Sequence, residues 1–158
     1  MGLDMDFSKL QPHDVLDLAI FAEEEAQEEY EHLATIMQSG RNREVAEFFR
    51  TMAGREKLHR DQVAERRQAL YATAKPNLAN RAVWGVEAAY EAKADASLSL
   101  PAAFKIALDS EKRAHDYYAA ALEQPLDATV SRLFENLRKA EIEHMQLLRT
   151  EQARHAAK

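Results

Sequence analysis

The sequence predicts an all-α protein, a four-helix bundle made of two antiparallel helical hairpins joined by a long crossover connection. Three observations carry this. Only four Gly and four Pro occur in 158 residues, and the composition is dominated by helix-forming side chains. Four segments show apolar residues at alternating steps of three and four, the spacing of a single buried stripe. The punctuation between them is short, then long, then short. One domain spanning residues 1–158 is expected, long enough to bury a core without disulfides.

The first helix is expected from about Pro12 to Ser39. Pro12 suits a first turn, and Gly40 suits the left-handed residue just past a helix end. The second should run from about Asn42, an N-cap, to about Tyr71. Residues 72–100 form the inter-hairpin connection, within which the stretch from Val83 to Ala96 looks helical and Trp84 suits an anchor against the bundle. The third helix begins near Pro101 and ends before Pro125. Asp127 can cap the fourth, which runs almost to the last residue. A connection of that length can travel along a bundle, whereas the two short turns demand antiparallel neighbours.

Composition also excludes. With no cysteine, disulfides, thiol catalysis and thiolate-bound metal centres are ruled out within this chain. A net charge of -6 with acids and bases interspersed argues against nucleic acid as a partner. No apolar run approaches the roughly 20 residues that span a bilayer. Residues Met1 to Lys9 lack the pattern of a secretion signal, so the cytoplasm is the expected compartment.

The buried stripes hold the chemistry. Helix one presents Leu16, Ala19, Glu23, Ala26, Tyr30, Leu33 and Met37. Helix two presents Val45, Phe49, Met52, Glu56, His59 and Val63. Helix three presents Phe104, Ala107, Glu111, Ala114, Tyr118 and Ala121, and helix four Val130, Phe134, Leu137, Glu141, His144 and Leu148. Each stripe is apolar except near its middle, where one Glu intrudes; in the second and fourth a His follows at i+3. The stripes also repeat. Glu23-x-x-Ala26-x-x-x-Tyr30 returns as Glu111-x-x-Ala114-x-x-x-Tyr118, and Val45, Phe49, Glu56 and His59 return as Val130, Phe134, Glu141 and His144. Folding two copies of one hairpin together should bring four Glu and two His to one level.

Four ionised carboxylates in an apolar core repel one another and lose hydration worth several kcal/mol each. A buried ion-pair network with Arg is the competing reading, but the stripes contain too few cations to balance the charge. Two divalent ions balance four carboxylates. A Glu from each of two helices with Glu-x-x-His from the other two is a di-iron or di-manganese carboxylate pattern, and oxygen with imidazole donors suits iron or manganese, with zinc as a substitute.

At these residues the sequence resembles the rubrerythrin-like branch of the ferritin-like superfamily, without a rubredoxin domain. The resemblance implies Glu56 and Glu141 as bridging carboxylates, Glu23 and Glu111 as terminal ligands, and His59 and His144 as nitrogen ligands to two iron ions per chain. It further implies a non-haem di-iron oxidoreductase. Two ferrous ions can each give one electron, reducing hydrogen peroxide or dioxygen, with a separate electron-donor protein restoring them. The alternative is a ferroxidase or iron-handling protein without sustained turnover. A homodimer is expected, since such chains often pair. Ala114 stands where rubrerythrins carry an extra Glu, which calls their ligand exchange into question. Tyr30 and Tyr118, two turns beyond Glu23 and Glu111, can act as core aromatics or as hydrogen-bond donors to a carboxylate ligand. His115 reads as a partly exposed residue at the stripe's edge; His13, His32 and His155 read as surface residues. The clusters Glu23-Glu24-Glu25, Glu28-Glu29 and Arg66-Arg67 read as solvated faces with only Glu23 pointing inward.

Overall fold

The computed structural model describes residues 5–40, 42–77 and 97–156. Among these, four long helices and a short 3-10 turn (Phe7–Lys9) make up the regular structure. The helices are α1 (Pro12–Ser39), α2 (Arg43–Tyr71), α3 (Leu100–Ala121) and α4 (Ala128–Ala156). The expected helix inside the connection and the anchoring role of Trp84 lie outside the described residues.

Each helix starts where the sequence supplies an acceptor for its free N–H groups. Pro12 opens α1, and the Asp14 carboxylate accepts from the Gln11 N–H at 2.8 Å. The Asn42 side chain accepts from the Val45 N–H at 3.2 Å, Ser99 Oγ from Ala102 at 3.2 Å, and Asp127 from Thr129 at 2.8 Å. Gly40 departs from expectation. Its φ of -78° is right-handed, because its N–H continues the ladder to the Ile36 carbonyl (2.9 Å) while Asn42 N–H reaches the Met37 carbonyl (2.8 Å). The last carbonyls are satisfied without a left-handed residue at this position.

Every residue of the four apolar stripes is buried except His59, which is half-buried. The core forms two clusters. One gathers Tyr30, Leu33, Phe49, Met52, Phe104 and Leu148, and the other Leu16, Ala19, Val63, Tyr118, Phe134 and Leu137. On every helix the intruding Glu lies between its contributions to the two, so a polar layer divides the core at mid-height. The same assignment shows the crossover. The end of α2 belongs to the second cluster and the start of α3 to the first, so these two helix ends lie toward opposite ends of the bundle.

Off-stripe polar residues tie the ends together, contrary to their reading as solvated. Arg67 is buried, with Nε 2.8 Å and Nη2 3.2 Å from the two oxygens of Asp17. It also donates to the carbonyls of Tyr71 and Ala74, pinning the exit of α2 against α1. Asp17→Ala should therefore cost about 3 kcal/mol, the penalty for stranding a buried guanidinium. Asp17→Ala combined with Arg67→Met should recover most of that, as urea midpoints can show. At the other end His155, expected at the surface, is buried. Its Nε2 lies 3.0 Å from Glu151, and Arg154 bridges Glu151 and Glu44, joining the end of α4 to the start of α2.

Candidate metal centre

The polar layer holds Glu23 from α1, Glu56 and His59 from α2, Glu111 from α3, and Glu141 and His144 from α4. All six side chains that the sequence singles out meet at one level. The two imidazoles stack nearly parallel, 9° apart with centroids 5.2 Å apart, and each heads its own nest of oxygens. His59 Nδ1 is 3.7 Å from Glu23 Oε2, 3.6 Å from Glu56 Oε2 and 3.7 Å from Glu141 Oε1. His144 Nδ1 is 2.9 Å from Glu56 Oε1, 3.3 Å from Glu111 and 3.8 Å from Glu141 Oε2. Glu56 and Glu141 thus give one oxygen to each nest, while Glu23 and Glu111 serve one nest apiece. Donor atoms of Glu56, His59, Glu141 and His144 lie within 4.8 Å of one another and could hold a metal ion.

The two tyrosines reach across the bundle rather than along their own helix. Tyr30 on α1 donates its hydroxyl to Glu111 Oε1 on α3 at 2.5 Å, and Tyr118 on α3 donates to Glu23 Oε1 on α1 at 2.6 Å. Each phenol is pushed well above its ordinary pKa, Tyr30 by burial and then by the Glu111 charge, Tyr118 by burial and then by Glu23. Both remain protonated donors.

Metal suits this layer because the protein leaves its donors unused. Glu23 Oε2, both oxygens of Glu56, both oxygens of Glu141 and His59 Nδ1 are buried without a hydrogen-bond partner. Orphaned carboxylate oxygens in a closed apolar core are costly unless a cation takes them. The charge distribution without metal shows the strain. Burial first, then the Glu111 charge, pushes Glu56 and Glu141 well above the carboxylate range. Against its own burial, Glu111 is held at about 2 by the neighbouring Glu141 carboxyl and the His144 imidazole. Against its burial, His59 is raised to about 9 by Glu23 and Glu56.

Other candidates differ. His13, Asp14 and Asp17 also converge, but Asp17 is taken by Arg67 and Asp14 by the Gln11 N–H. His115 is half-buried beside Asp116 at 3.1 Å, and His32 is exposed. Periodicity did not single out Glu29. It sits off the stripe yet is raised to about 8 by burial and by Glu25, with Ser110 as its hydrogen-bond partner. Ala114, where a seventh donor would stand, is a buried methyl.

No helix among the described residues is long and apolar enough to cross a membrane. No curated protein and no solved structure matches the chain significantly. The rubrerythrin family model does match, over residues 14–152, a stretch that contains all six residues of the polar layer. With its repeated hairpins, its crossover and its layer of paired carboxylates and imidazoles, the chain belongs to the rubrerythrin family.

Proposed function

We propose that this protein is a di-iron carboxylate oxidoreductase that reduces hydrogen peroxide, or dioxygen, with electrons from a separate donor. The observation that carries the reading is the pair of oxygen nests sharing Glu56 and Glu141, whose lone pairs no hydrogen bond uses. Glu56 and Glu141 would bridge two ions, Glu23 and His59 would complete one, and Glu111 and His144 the other. Iron bound there would supply two one-electron equivalents to an oxidant.

The remaining work belongs to the chain itself. Tyr118 holds Glu23 Oε1 and so turns Oε2 toward His59, and Tyr30 holds Glu111 Oε1 in the same manner. Such orienting bonds fix ligand geometry and are worth about 10–100-fold in metal affinity. Phe49, Met52 and Phe104 on one side and Phe134 and Leu137 on the other exclude bulk water, which confines a reactive oxidant. The balance is one peroxide, two electrons and two protons giving two waters. Because the chain has no cysteine, it offers no thiolate-held iron to relay electrons, and the donor must lie outside these residues.

Rapid mixing tests this. The anaerobic diferrous protein is mixed with hydrogen peroxide and, separately, with air. Faster oxidation by peroxide, with iron retained and re-reduced over several cycles, is the expected result. Preference for air with release of ferric iron would replace the reading by ferroxidase chemistry.

A further inference from the structure

A chain built from two copies of one hairpin should make a centre with equivalent halves, and this one does not. The difference lies at the two histidines. The His144 side chain is 3% exposed, and its Nδ1 pairs with Glu111 Oε2 at 3.3 Å while lying 2.9 Å from Glu56. The His59 side chain is 12% exposed, against 1–2% for the four glutamates. Its Nδ1 has no hydrogen-bond partner, and no carboxylate oxygen comes nearer than 3.6 Å. Its neighbour Leu58 is 58% exposed, so solvent reaches this stretch of α2.

These facts bear on how an ion gets in and out. An ion must shed water as it meets its ligands, which requires a ligand that reaches solvent and can turn without breaking a hydrogen bond. His59 meets both conditions, whereas His144 is enclosed and already tied to Glu111. Donors that converge before the ion arrives lose less freedom on binding it. Resting on the metal-centre reading above, we propose that the two positions load in order through the His59 side: the Glu111/His144 position fills first and holds longest, and the Glu23/His59 position fills last and exchanges first.

Cobalt(II) is a suitable probe, since its visible absorption reports each bound ion without any turnover. The full chain is titrated with cobalt and then challenged with excess EDTA. Two loading stages are expected, with one cobalt leaving on the order of tenfold faster than the other, the low end of what an orienting partner contributes. His59→Ala should abolish the fast phase and keep one slowly released cobalt per chain. His144→Ala should abolish the slow phase. Far-UV circular dichroism checks that each variant is folded, and should His144→Ala fail, the wild-type phases and His59→Ala still decide. A single release phase, or loss of the slow phase in His59→Ala, would overturn the ordered loading while leaving the metal centre intact. A wild-type chain that takes up no cobalt would overturn both.

Discussion

Glu56→Gln should weaken retention of both ions by at least about 100-fold, beyond the 10–100-fold typical of losing an outer partner, while raising the melting temperature of the metal-free protein. Opposite signs from one substitution are the signature of a carboxylate placed for metal rather than for the fold. Glu56 gives an oxygen to each nest, so both positions lose a donor together. Without metal, neither oxygen has a hydrogen-bond partner. Burial, with the Glu111 and Glu23 charges behind it, opposes ionisation. Folding at pH 7 must then protonate an acid that is ionised in the unfolded chain. An amide removes that cost, worth about 3 kcal/mol at pH 7, or roughly 10 °C at this chain length. Calorimetry in EDTA and metal analysis on the same preparation check both signs. A drop in metal-free stability would mean that Glu56 serves a structural ion pair instead.

The second large effect is a metal-free protein that becomes less stable as pH rises through neutrality, with metal reversing the trend. For Glu56 and Glu141 the folded pKa lies well above the ordinary 4.5, and for Glu29 at about 8. The native state therefore binds more protons than the unfolded state above pH 4.5. Stability falls there with a slope of up to about 1.4 kcal/mol per pH unit for each such proton. His59, raised from 6.5 to about 9, acts in the same direction: its contribution is complete below pH 6.5 and is lost by about 9. Glu111, lowered to about 2, acts only on the acid side, where its contribution disappears between pH 4.5 and 2. Between pH 5 and 8 the melting temperature in EDTA should fall by at least about 10 °C. Bound metal displaces these protons, and its stabilisation grows with pH. A metal-free melting temperature that is flat or rising over that range would contradict the charge distribution described.

Much of this was legible in the sequence, because a helix must place its stripe against its neighbours and only an unusual cause puts Glu there. Glu23, Glu56, Glu111 and Glu141 stand out against Leu, Phe and Ala at the same periodic positions. The repeat between hairpins fixes their common level. Periodicity is silent where burial comes from the ends of the bundle. Arg67 is covered because it bonds the Tyr71 and Ala74 carbonyls of the chain leaving α2, and His155 because Glu151 and Glu44 close over it. Neither cover follows from a three-and-four pattern. The cross-bundle reach of Tyr30 and Tyr118 depends on how far α1 and α3 stand apart, which side-chain spacing within one helix does not encode. The partial opening at His59 has the same origin, since its partner in the repeat, His144, has identical spacing and is enclosed. Gly40 shows a local ambiguity: glycine permits a left-handed cap without requiring one.

On the proposed function, six side chains in the middle of the bundle would hold two iron ions. The most direct test is Mössbauer spectroscopy on protein loaded anaerobically with iron-57, together with an iron count per chain. Two irons, giving a spin-coupled diferric spectrum after peroxide treatment and lost in Glu56→Gln, is the expected result. Iron bound singly without coupling, or iron retained unchanged in Glu56→Gln, would contradict it.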